Sequence, residues 1–175
     1  MKPMFIALSL FCILFSSCKK DKNNPEPDNP YGLPNATQTG ANIFACRVNG
    51  QNWISEKGIY SIGGGIYNDT LFAFGSLDVP YLETFSLRVG EHPVEGGVYA
   101  IAINSSTIFD LLSNKNCSCP NGGCTVNTIY ATAGQVNITK IDTQREIVSG
   151  KFHAKVPITG CDTLFITDGR FDIRY

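Results

Sequence analysis

Three cysteines fall within eight residues in Cys117-Ser-Cys-Pro-Asn-Gly-Gly-Cys124, a glycine-rich stretch that reads as a loop. Three thiolates and one imidazole can hold Zn²⁺, and His92 or His153 would complete such a set. The spacing is Cys-x-Cys-x4-Cys, however, and not the paired Cys-x2-Cys repeats of a structural zinc site, so no metal is assigned. Disulfide chemistry is expected instead, with Cys119 to Cys124 as a local bridge and Cys46 to Cys161 as a bridge across strands. Five cysteines follow Cys18, which leaves one over after two bridges.

Acid–base chemistry has little to work with. The two histidines are His92, ahead of Pro93 in a loop-like segment, and His153, between Lys151 and Lys155 on what reads as a solvated strand face. No Gly-x-Ser-x-Gly elbow, His-Glu-x-x-His run or phosphate-cradling glycine loop is present. Asp142, Glu146, Asp162, Asp168 and Asp172 sit in or beside turns, without the Asp-x-Asp-x-Asp run of a calcium loop. Neither a catalytic residue nor a cofactor is therefore assigned. Trp53, Tyr60 and Tyr67 are the candidates for stacking on a sugar ring, because flat apolar faces with polar tips suit such ligands. The charge balance, 14 Lys plus Arg against 15 Asp plus Glu, supplies no basic patch, which argues against nucleic acid as a partner.

Cys18 carries the address. Lys2 precedes an apolar run from Met4 to Phe15, and Ser16 and Ser17 lead into the cysteine. A short charged start, about a dozen apolar residues and a small-residue junction describe a secretory signal peptide. The run is too short for a bilayer core that needs about 20 helical residues. The junction resembles the bacterial lipobox, which implies a lipidated Cys18 holding the protein at a membrane by its acyl chains. Residues 1–17 are then the signal peptide. Residues 18–41, rich in Pro, Asn and Lys, read as a lipidated disordered linker that buries too little to order itself.

These candidate residues must be positioned by strands. From residue 42 to 175 short segments alternate apolar and polar residues between turn clusters: Phe152, Ala154 and Val156 share one face, Lys151, His153 and Lys155 the other. Phe171 and Ile173 likewise oppose Arg170, Asp172 and Arg174. Asn49-Gly50 predicts a two-residue hairpin after a strand at Phe44 to Val48. Ser106 to Leu112 hints at a helical turn, and Gly63-Gly-Gly65 at a bulge or loop. About nine strands predict an all-β domain, an antiparallel β-sandwich or a partly open barrel.

Gly134-Gln-Val-Asn-Ile-Thr-Lys-Ile-Asp142, Ile147-Val-Ser-Gly-Lys-Phe152 and Ile166-Thr-Asp-Gly-Arg-Phe-Asp172 resemble a family of uncharacterised Bacteroidota lipoproteins, and Cys46-Arg-Val-Asn-Gly-Gln-Asn-Trp53 resembles their opening hairpin. The resemblance implies a β-rich envelope domain and brings no catalytic residues. The expected role is a nonenzymatic binding or accessory module on the outer membrane, periplasmic or surface-facing, with a glycan or an envelope protein as partner. An envelope hydrolase using loop carboxylates, or a purely structural surface component, is the alternative.

Overall fold

The structure, a computed structural model, describes residues 29, 31–57, 61–77, 83–90, 92–113, 127–158 and 162–175. Within them the chain is an antiparallel β-sandwich of eleven strands: β1 (Ile43–Val48), β2 (Gln51–Ile54), β3 (Ile62–Tyr67), β4 (Thr70–Leu77), β5 (Glu83–Val89), β6 (Val98–Ala102), β7 (Thr107–Ser113), β8 (Asn127–Tyr130), β9 (Ala133–Asp142), β10 (Ile147–Val156) and β11 (Leu164–Arg174). One sheet has the order β2-β1-β11-β10-β9-β6 and the other β3-β4-β5-β7-β8. The two sheets do not close into a barrel, which decides between the two expected architectures. No helix among the described residues is long and apolar enough to cross a membrane.

Period-two patterning sets which face each strand buries. Phe152, Ala154 and Val156 point inward from β10 while Lys151, His153 and Lys155 stay exposed. The sheets are joined by a closed circuit of aromatic rings: Trp53 to Phe85 at 4.8 Å, Phe85 to Phe109 at 5.6 Å, Phe109 to Phe152 at 5.3 Å, Phe152 to Phe44 at 5.2 Å and Phe44 to Trp53 at 6.2 Å. Offset and edge-on pairs at such separations add to the area they bury. Gly75 makes room for this circuit, since a Cβ there would lie 2.7 Å from the Cβ of Phe44.

The hairpin turns follow the residues that tolerate positive φ. Asn49 and Gly50 have φ of 49° and 82°, as the sequence predicts, and Asn68 and Asp69, at 46° and 58°, close the β3–β4 hairpin in the same way. Two expectations are corrected. Ser106 to Leu112 is no helical turn: Thr107 to Ser113 is a strand whose alternate residues Thr107, Phe109, Leu111 and Ser113 are buried. Gly63 to Gly65 is neither loop nor bulge but lies inside β3, where a Cβ on Gly63 would stand 2.6 Å from the Phe74 ring.

The linker also ends earlier than residue 41. From Tyr31 to Ala41 the chain runs as a strap along the outer face of the six-stranded sheet, from Arg47 and Asn52 past Arg170 to Asp172, with its own Leu33 buried. Tyr31 stacks on the Arg47 guanidinium at 3.6 Å and its carbonyl accepts from Asn52 Nδ2 at 2.8 Å. At the other end Asp172 gathers the strap, accepting hydrogen bonds from Thr37 Oγ1 and from the main-chain N–H groups of Thr39 (3.0 Å), Gly40 (2.9 Å) and Ala41 (3.1 Å).

Candidate functional site

Strand register builds the site on the outer face of the six-stranded sheet, beside the strap. β9, β10 and β11 place Asn137, Lys151 and Arg170 in one cross-strand row, and Gln135 and His153 in the next. Opposite His153 the register of β11 slips, because Phe152 pairs with Gly169 but Ala154 with Ile166, so β11 carries one extra residue. The same slip appears against β1, where Ala45 pairs with Arg170 and Arg47 with Thr167. Asp168 occupies this bulge at φ 53°, a conformation that Asp adopts more readily than most residues. The bulge turns Asp168 and Arg170 toward a groove of about 380 Å³ whose remaining wall is Asn29 and, from the strap, Ala36.

Arg170 is the anchor of this groove. Only 7% of it is exposed. Its Nε donates to the Asp168 carbonyl at 3.2 Å and one terminal nitrogen to the Pro34 carbonyl at 3.1 Å. Burial pushes the guanidinium pKa down from its ordinary value, and the negative charge of Asp168 opposes that shift. Asp168 itself accepts a hydrogen bond from Thr167 Oγ1 at 3.0 Å. Asn29 is buried, donates to the carbonyl of Leu33 and to Asn35, and leaves its Oδ1 without a donor.

A second concavity, about 510 Å³, opens at one end of the sandwich between the sheets. The Asn49–Gly50 hairpin contributes Asn49, Gln51 and Asn52, the floor is Phe85 and Leu111, and Glu83 and Asp162 both line it. Trp53 forms part of its wall, with its Nε1 donating to Glu83 Oε2 at 3.1 Å.

Of the stacking candidates of the sequence, Trp53 and Tyr67 do not share a face. Trp53 is 6% exposed and wedged edge-on between Phe44 and Phe85, so its indole is core and offers no open ring. Tyr67 is 71% exposed at the β3–β4 turn, the opposite end of the sandwich from Glu83 and Trp53. Tyr60 lies outside the described residues, as do Cys18, Cys117, Cys119, Cys124 and Cys161. Cys46 is a free thiol, wholly buried opposite Trp53, and its pKa is pushed up by burial and then by the charge of Glu83. Among the described residues no group of three or more His, Cys, Asp and Glu side chains could hold a metal ion. His92 is an exposed loop residue within 3.5 Å of Asp69, and His153 is the exposed strand residue now placed on the groove.

On the outer face of the other sheet, Asp110 accepts a hydrogen bond from Ser86 Oγ. Burial raises the Asp110 pKa, opposed by that bond and by Arg88. The groove residues Asn137, Lys151, Asp168 and Arg170 went unremarked as a set in the sequence. The one available signal was Asp168-Gly169 in the middle of an alternating strand, which marks a bulge.

No protein-family model, no curated protein sequence and no solved structure matches this chain.

Proposed function

We propose that the chain is a lipid-anchored, nonenzymatic binding domain of the bacterial cell envelope, held at the outer membrane through Cys18, whose partner is a glycan seated in the groove on β9, β10 and β11. The observation that carries this reading is the groove itself. Amide, ammonium, imidazole and carboxylate groups from Asn137, Gln135, Lys151, His153 and Asp168 converge on one rigid sheet face. Such a mixture of donors and acceptors fits a ligand dense in hydroxyls, and a site built on strands holds its groups more accurately than one built on loops.

The test uses the processed chain with Cys18→Ser. Glycans and envelope polysaccharides are screened for thermal stabilisation, since a ligand of the native state raises the unfolding midpoint. A saturable rise that His153→Ala or Gln135→Ala abolishes is expected. A flat response across the panel overturns the glycan reading and moves the search to protein partners.

One observation favours a second reading, an envelope hydrolase: Glu83 and Asp162 line the same end cavity. Glu83 is nevertheless occupied in holding the Trp53 indole. Hydrolysis of any panel glycan, lost in both Glu83→Gln and Asp162→Asn, would establish the enzyme over the binding module.

A further inference from the structure

Two cations, Lys151 and Arg170, line the groove side by side. Lys151 and Arg170 are direct cross-strand partners on the same face of β10 and β11. Like charges in that position repel. Neither makes an ion pair with a carboxylate among the described residues. Arg170 is the more anomalous of the two, since 93% of its surface is covered and its hydrogen-bond partners are two neutral carbonyls. A guanidinium taken out of water is costly, and Asp168, whose charge acts on Arg170 without an ion-pair contact, offsets that only in part, whereas an anion bound directly to the same group is favourable. Asp168, the carboxylate whose charge acts on Arg170, meets it through its main-chain carbonyl and makes no ion pair with it.

We infer that the ligand of the groove carries an oxyanion on a sugar ring, a carboxylate or a sulfate, which sits between Arg170 and Lys151. This rests on the glycan reading and narrows it to acidic saccharides. The planar fork of a guanidinium matches two oxygens of such a group, and Lys151 adds a point charge from the neighbouring strand. His153, one row on, adds an imidazole that can hydrogen-bond the same ligand. Beyond the anion the row continues to Asn137, and Gln135 lies beside His153, so ring hydroxyls meet amides. Asp168 then serves as an acceptor for a hydroxyl on the far side. A groove of about 380 Å³ is larger than a bare sulfate requires and suits one sugar residue of a longer chain.

Calorimetric titration of the Cys18→Ser chain with a trigalacturonate, a sulfated trisaccharide, the matched neutral trisaccharide and sodium sulfate tests this. An acidic trisaccharide is expected to bind at least about tenfold tighter than the neutral one, with the preference shrinking in high salt. Arg170→Gln is expected to abolish binding. Because Arg170 also holds Pro34, Lys151→Gln serves as the second variant: Lys151 is exposed, and its loss should cost about tenfold in affinity while the melting midpoint, relieved of the repulsion, does not fall.

Equal affinity for neutral and acidic trisaccharides, or an undiminished affinity in Lys151→Gln, overturns the inference while leaving a glycan site in place. Sulfate binding as tightly as the acidic saccharides would make this a bare anion site and overturn the sugar component. Failure of every saccharide overturns both the inference and the glycan reading on which it rests.

Discussion

Asp172 concentrates more interactions than any other polar residue of the described chain. It is 1% exposed, and Ser149 Oγ donates to it at 2.7 Å in addition to the four donors of the strap. Burial alone would raise its pKa. Hydrogen bonds from Thr37, Ser149, Ala41 and Gly40 outweigh that effect and hold the carboxyl below its ordinary value. A folded pKa below the unfolded one means that the stabilisation is complete above the unfolded value, about 3.9, and is lost as pH falls through the folded value. Asp172→Asn replaces one acceptor oxygen by a donor facing other donors, so about 2–4 kcal/mol of stability should be lost at neutral pH. The wild type should then approach the variant in stability only in strong acid. Denaturant titrations between pH 2 and 7 check both points, and a constant gap across that range would show that the carboxylate charge is not what holds the strap.

The same contacts explain what the elements disclosed in advance and what they concealed. Alternation along β10 and β11 was legible because Phe152, Ala154, Phe171 and Ile173 fill one face of their strands with apolar groups. β7 was concealed because its buried face ends in Thr107 and Ser113, and Leu111 and Leu112 stand side by side. The strap was concealed for a different reason. Its composition buries almost nothing apolar, and the group that orders it lies more than 130 residues away in Asp172. The groove depends on register, which no single strand contains: Asn137, Lys151 and Arg170 become neighbours only once β9, β10 and β11 pair.

Gly169 fixes that register at the bulge. A Cβ there would stand 2.5 Å from the Phe152 ring and from the Phe152 carbonyl oxygen. Backbone cannot give way as a flexible side chain can, so Gly169→Ala should cost about 1–3 kcal/mol by overpacking. The strain falls on the turn that orients Asp168 and Arg170, and saccharide affinity should fall along with the midpoint. A variant that loses stability yet keeps full affinity would separate the bulge from the site.

For the molecule as a whole, the ordered strap shortens the leash. Eleven residue-to-residue steps separate Cys18 from Asn29, and a chain spans at most about 3.6 Å per step, so Asn29 lies within about 40 Å of Cys18 whatever path the chain takes. The strap starts beside Arg47 and Asn52, at the end of the sandwich where the Asn49–Gly50 hairpin lies, and Asn29 is itself a wall of the groove. With Cys18 lipidated as proposed, the groove would be confined to a shell close to the membrane surface, and a ligand of the groove would have to reach that shell. Acyl chains contribute about 0.8 kcal/mol per buried methylene, while no contact described in the domain needs the lipid. Cys18→Ala should accordingly move the protein from the membrane to the soluble fraction and abolish acyl labelling, with the unfolding midpoint and saccharide affinity unchanged. Persistent lipid labelling would remove Cys18 as the anchor, and a lowered midpoint would mean that the anchor and the fold are coupled through the strap.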